Sequence, residues 1–195
     1  MTDIYGDAKV INKDIFFQII LENFMDSKEE LKTIDVGSSG QSVFENPIFK
    51  NLNLENHILE YESQHLDKIR KNIIEGDICN CPEIESNSFD IVYCWNVLEH
   101  VTNPFSAAEN LVRILKKDGI IVLNTPFSWN YHEIPIDYWR FTHSGLRYLL
   151  TKDDLTEIID FGYHSKMTKD PKHLFTEKNQ PKCPTNSLVI AKKIK

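Results

Sequence analysis

Glycine and cysteine are scarce in this chain, at seven and four of 195 residues. The four thiols, Cys79, Cys81, Cys94 and Cys183, are too few and too unevenly spaced for a disulfide framework. Only the first two stand close together, in "DICNCPE", and no second pair lies at zinc-binding spacing, so they read as reduced structural thiols. No run of 18 apolar residues occurs, which excludes a membrane-spanning helix of ordinary length. The first twenty residues scatter Asp3, Asp7, Lys9, Lys13 and Asp14 where a secretory leader would need a basic start and an apolar core, so the expectation is a cytoplasmic protein without membrane insertion. Basic residues are in deficit, 22 Lys and Arg against 29 Asp and Glu for a net charge of −7, which argues against nucleic acid as partner and leaves small molecules. Repeats, low-complexity tracts and linkers are also lacking. What is present, 41% hydrophobic and 11% aromatic residues, suffices for the core of one domain over 1–195.

Apolar spacing predicts an amphipathic helix in "KDIFFQIILENFM" (13–25), strands in "LKTIDVG" (31–37), "HILEYE" (57–62), "KNIIEGD" (71–77) and "SFDIVYCWN" (88–96), and a helix in "NPFSAAENLVRILKKDG" (103–119). That helix has Asn103 as N-cap, Pro104 in its first turn, lysines in its last and Gly119 beyond it. A strand "GIIVLNTPF" (119–127), helices in "SGLRYLLTK" and "DDLTEIIDFGY", an exposed connection over 168–187 and a last strand "NSLVIAKKI" (186–194) complete the order. Alternating strands and helices imply an α/β fold: a doubly wound, mostly parallel sheet of about seven strands with helices on both faces.

In such sheets ligands lie beyond the carboxyl ends of the strands. The turn after the first predicted strand, "DVGSSGQS", offers Gly37 and Gly40 for positive φ and Ser38 and Ser39 as small donors, although glycine there also serves merely to bend the chain. Acids end successive strands: Asp35, then Glu60 or Glu62, then Asp77.

With "IDVGSSG", "IIEGDI", "SFDIVYCWNVLEHVTNP" and "RILKKDGIIVLNTPF" in register, the chain from Leu31 to Gly162 resembles the class I S-adenosylmethionine-dependent methyltransferases, in the branch whose fourth strand leads into VLEHV. The resemblance implies a Rossmann-like fold with a helical segment over 1–30, a cofactor-binding core over 31–127 and an acceptor-side segment with the last strands over 128–195. It implies S-adenosylmethionine as cofactor and S-adenosylhomocysteine as product. Gly37, Ser38, Ser39 and Gly40 would lie against the methionine part and Asp35 would fix that turn. Glu60 would accept from the ribose hydroxyls, with Glu62 as the alternative. Asp77 and Ile78 would meet the adenine, and Asn96 and Val97 the sulfonium end. The chain departs from the family in Ser39 and Gln41, where glycine is usual, and in "KKDG" for the commoner Lys-Pro-Gly-Gly.

"HEIPIDYWRFT" (132–142), followed by "GLRYLL", is similar to a segment in a subset associated with surface-polysaccharide and sugar biosynthesis. This implies a small acceptor, a sugar or nucleotide sugar, methylated on a hydroxyl or amino group. Candidate acceptor contacts are His132, Asp137, Tyr138 and Arg140, and His132 and His100 are the candidate catalytic bases. The segment also reads as a structural cover pinned by an Asp137–Arg140 pair. No Asp/Asp/Asn metal cluster is evident, so the expectation is catalysis without metal. Rival readings are a methyltransferase for another small metabolite, a non-catalytic cofactor-binding partner protein of the same fold, and a nucleotide-dependent dehydrogenase. The last is disfavoured because no third glycine opens the helix near Phe44. Oligomeric state stays open.

Overall fold

The computed structural model describes residues 9–11, 14–38, 41–61, 72–132, 136–164 and 185–195. Their strands form one sheet: β1 (Lys9–Ile11), β2 (Leu31–Val36), β3 (Leu54–Glu60), β4 (Ile73–Glu75), β5 (Phe89–Trp95), β6 (Leu115–Pro126), β7 (Thr156–His164) and β8 (Asn186–Lys193). The helices are α1 (Ile15–Phe24), α2 (Pro104–Ile114) and α3 (His143–Thr151), and two 3-10 turns, Val43–Glu45 and Pro47–Phe49, follow β2. None of these helices is long and apolar enough to cross a membrane.

The strand order is β1-β7-β8-β6-β5-β2-β3-β4, with eight strands rather than the expected seven or so, the addition being the short β1 on the outer edge of β7. Neighbours are parallel except where β8 runs antiparallel to β6 and β7. From β2 the chain goes outward to β3 and β4, then returns to place β5 on the other side of β2. Order reverses between β2 and β5, so a ligand cleft is expected at their carboxyl ends.

The central strands are buried on both faces, which explains their unbroken apolar character. Val92, Cys94, Ile121, Leu123, Val189 and Ala191 pack with Ala107, Leu111 and Val112 of α2 and Leu146 and Leu149 of α3. The alternate residues, Ile91, Tyr93, Ile120, Val122, Leu188 and Ile190, pack with Phe16, Ile19 and Ile20 of α1 and with Phe44 and Phe49 of the 3-10 turns.

Two sequence expectations are corrected. "DDLTEIIDFGY" is not helical: from Thr156 onward it is β7, which gains backbone partners from β8 on one side and β1 on the other. Its apolar residues fit either period, and the pairing decides. The helix opened by Asn103, whose side chain accepts from Phe105 and Ser106 N–H as foreseen, stops at Ile114 instead of running to the lysines. Lys193 Nζ from β8 donates to the carbonyls of Val112 at 2.9 Å and Leu115 at 2.7 Å, closing the helix end from within the core, and Asp118 at φ +65° makes the turn assigned to glycine. The 168–187 connection falls mostly outside the described residues, as does Cys183; Cys79, Cys81 and Cys94 are free thiols.

Candidate active site

The site is built on β2. Strand alternation sends Asp35 toward the α1 face, where it is 3% exposed and its Oδ2 accepts the Val43 N–H at 2.7 Å, tying the returning chain to the strand. Burial pushes Asp35 up to about 7, against the downward pull of Val43 and Ser42. The unfolded chain releases this proton near pH 4 and the folded chain near 7, so the native state holds the extra proton in between and stability falls as pH rises through that window. Asp35→Asn should therefore flatten the curve. Urea unfolding at pH 5 and pH 8 is expected to show wild type losing about 3 kcal/mol more than the variant.

Gly37 has φ +69°, and a Cβ there would lie 2.5 Å from Val97 Cγ2, so the turn needs glycine both for its backbone angle and for the approach of the β5 loop. Ser38 Oγ lies 3.2 Å from Glu60 Oε1. Glu60 is the last residue of β3 and 7% exposed, and its carbonyl accepts the Gly76 N–H at 2.9 Å, which draws the edge strand and Asp77 toward it. Asp77 Oδ1 accepts the Cys79 N–H at 2.8 Å, Ile78 is buried, and Asn110 Nδ2 donates to the Ile78 carbonyl at 3.0 Å. Ser39, Gly40 and Glu62 lie outside the described residues.

After β5, Asn96 takes φ +56° and is exposed. Asn186 Nδ2 bridges Asn96 Oδ1 and Asn124 Oδ1, each at 2.9 Å. Asn124 and Thr125, at the end of β6, are fully buried, and Asn124 Nδ2 and Thr125 Oγ1 have no hydrogen-bond partner among the described residues. Neither Asn124 nor Asn186 was legible as a site residue, because each is one polar residue at the end of an apolar run and they meet only through antiparallel β6–β8 register.

The segment after β6 is clipped to the "VLEHV" loop. Tyr138 and Trp139 N–H donate to the Glu99 carbonyl at 2.7 and 3.2 Å, Trp139 Nε1 to the Val101 carbonyl at 2.8 Å, and His100 Nδ1 to the Ile136 carbonyl at 2.9 Å. His132 and His100 thereby meet Nε2 to Nε2 at 3.1 Å, a contact between residues 32 apart in sequence. His132 Nδ1 faces Asp137 Oδ2 at 3.1 Å and the Asn130 carbonyl at 3.3 Å, both acceptors. Each ring thus spends its Nδ1–H on an acceptor and turns its Nε2 toward the other, leaving room for one shared proton between them.

Asp137 is held well below the usual carboxylate range, to about 2, chiefly by its hydrogen bonds from Arg140. Both guanidinium nitrogens bond its oxygens, Nη2 to Oδ2 at 2.6 Å, and the remaining donors reach the carbonyls of Trp139 at 2.8 Å and Asn130 at 3.2 Å. Arg140 and Asp137 therefore staple the segment and orient His132. Tyr138 is exposed, as are Trp129 and Tyr131 earlier in the chain.

One group had no assigned role. Glu99, the acid of "VLEHV", is wholly buried with neither carboxylate oxygen hydrogen-bonded to any other described residue, and burial pushes it up to about 8. Its Oε1 lies 3.8 Å from His100 Nε2.

The carboxylates at β2, β3 and after β4 stand in a row beside a glycine turn, a donor set that fits the hydroxyl, amino and ammonium groups of a nucleoside-linked amino acid. Comparison with known proteins agrees. A family model described as a methyltransferase domain matches residues 35–123. A ubiquinone biosynthesis O-methyltransferase of Glaesserella parasuis serovar 5 (strain SH0165) is 37% identical over 65 residues, which cover 33% of this chain and 28% of that one. The chain thus spans well under half the length of this curated relative. An S-adenosylmethionine-dependent methyltransferase from Mesorhizobium loti shares the fold at TM-score 0.61 and 16% identity, over 84% of this chain and 91% of that one. A methyltransferase solved with the Haloferax volcanii Trm112 activator does so at TM-score 0.59 and 13% identity, over 96% and 100%. Residues 35–123 thus match the methyltransferase-domain model, and the chain shares the fold of S-adenosylmethionine-dependent methyltransferases.

Proposed function

We propose that the chain transfers a methyl group from S-adenosylmethionine to a small polar acceptor, with a sugar or nucleotide sugar hydroxyl as the leading candidate and an amino group as the alternative. The observation that carries this reading is the His132–His100 pair, held over the β5 and β6 ends next to the loop that packs on Gly37. The cofactor, when bound, supplies a methyl already activated by its sulfonium, so the chain has to orient the acceptor in line and receive its proton.

Asp35 shapes the turn by holding Val43; Glu60 is assigned to the ribose, Asp77 and Ile78 to the adenine, and Gly37, Ser38, Asn96 and Val97 to the methionine end. Ser39 and Gly40 keep their sequence-level assignment to the same turn. The acceptor hydroxyl's proton goes to the space between the two Nε2 atoms. Asp137 and Arg140 act by positioning His132, while Tyr138, with Trp129 and Tyr131, offers exposed rings on which the apolar face of a pyranose can lie. The O-methyltransferase relative favours oxygen over nitrogen as the receiving atom.

The test is a transfer assay with methyl-labelled cofactor against panels of sugars, nucleotide sugars and aromatic hydroxyl compounds. Label appearing in a sugar class supports the full reading; label only in an aromatic hydroxyl keeps the activity and overturns the saccharide; cofactor binding without transfer to any acceptor points to a non-catalytic binding protein.

A further inference from the structure

Three lone-pair atoms converge at the foot of the acceptor segment. Glu99, His100 and His132 each offer one ligand atom, and those atoms lie within 4.8 Å of one another. Both imidazoles present Nε2, 3.1 Å apart, and Glu99 Oε1 stands 3.8 Å from the nearer one. Bonds of about 2.0–2.2 Å to a tetrahedral ion put neighbouring ligand atoms about 3.3–3.6 Å apart; the 3.1 and 3.8 Å separations bracket this, and the third, within 4.8 Å, closes on binding. The Nδ1 atoms face the Ile136 carbonyl and the Asp137 carboxylate, the outer contacts that fix the tautomer and ring orientation of metal-bound histidines. The fully buried Glu99 carboxyl has no hydrogen-bond partner among the described residues beyond its own backbone N–H, and a polar group so placed lacks the compensation that a bound cation would supply.

We propose that Glu99, His100 and His132 bind a divalent transition-metal ion, with Zn²⁺ and Mn²⁺ as the probes, and that the open coordination position faces the acceptor. Two nitrogens and one carboxylate suit such an ion better than Mg²⁺ or Ca²⁺, which prefer all-oxygen sets. This departs from the metal-free expectation, which rested on the lack of an Asp/Asp/Asn cluster. Here one ligand comes from a segment 32 residues away. Binding of the ion stands independently of methyl transfer. Its consequence for acceptors rests on the reading above: a coordinated oxygen would give up its proton to solvent water more readily, so the loaded site selects an oxygen acceptor, and the imidazoles then serve as ligands in place of the shared proton.

The experiment is calorimetric titration of Zn²⁺ and Mn²⁺ into chelator-treated full chain, with the same titration on Glu99→Gln, His132→Asn and Asp137→Asn. Co²⁺ is titrated separately, and its visible spectrum distinguishes nitrogen and oxygen ligands from the thiolates of Cys79 and Cys81. Expected are one equivalent bound by wild type, at least a hundredfold weaker binding in Glu99→Gln and His132→Asn, about tenfold weaker in Asp137→Asn, and no thiolate charge-transfer band. Glu99→Gln keeps the size and polarity of a buried side chain and should unfold no earlier than wild type, so its loss of binding would not be a loss of fold. No stoichiometric binding by wild type, a thiolate spectrum, or equal affinity in the Glu99 and His132 variants would overturn the site. Methyl transfer without metal binding would overturn it too while leaving the proposed activity standing, and metal binding without transfer would do the reverse.

Discussion

His132→Ala is expected to lower kcat for methyl transfer by about 10²- to 10³-fold while leaving the affinity for S-adenosylmethionine within twofold, the range for loss of a positioned proton acceptor. His132 belongs to the proposed acceptor side, oriented through Nδ1 by Asp137 and meeting His100 through Nε2. Because the two imidazoles act as a unit, the double variant with His100→Ala should be little worse than the single one. Steady-state kinetics with saturating cofactor, next to a direct binding measurement, separates the two quantities. A fall in cofactor affinity that matches the fall in rate would instead mean that the segment merely supports the fold of the cofactor cleft.

Glu60→Gln carries the second large effect: about a thirtyfold rise in the Kd for S-adenosylmethionine, with kcat at saturation changed by no more than a few-fold. Gln keeps the size of the side chain and leaves an oxygen for Ser38, which lies 3.2 Å from the carboxylate. It loses the charge that lets one carboxylate take both ribose hydroxyls, a difference of about 2 kcal/mol, and 1.4 kcal/mol is tenfold. Asp77→Ala should act in the same direction through the adenine. Calorimetry on the two variants reads both effects. An unchanged Kd in Glu60→Gln would move the ribose assignment to Glu62.

The sheet could be read from the sequence because its central strands are buried on both faces and give unbroken apolar runs, as in "FDIVYCW" and "IIVLN", between polar turns. The edges were harder. β7 is half exposed and β1 has three residues, so pairing rather than pattern defines them. The early end of α2 depends on Lys193, whose ammonium reaches the helix carbonyls from the far end of the chain. The candidate cofactor residues could be picked out because they follow strand ends in a fixed order, Glu60 closing β3 and Asp77 following β4. The histidine contact could not: His100 and His132 belong to separate loops, brought together by the hydrogen bonds of Trp139, Tyr138 and Ile136 to the "VLEHV" loop. Nor does sequence show that Glu99 is buried, whereas the Asp137–Arg140 pair was expected from it and is present.

The central claim is that the row of carboxylates beside Gly37 receives S-adenosylmethionine, and calorimetric titration of the full chain with S-adenosylmethionine and, separately, with NADH tests it most directly. The account predicts micromolar binding of the sulfonium compound at one equivalent, weakened in Asp77→Ala, and no heat with NADH. Saturable binding of NADH with none of S-adenosylmethionine would contradict it.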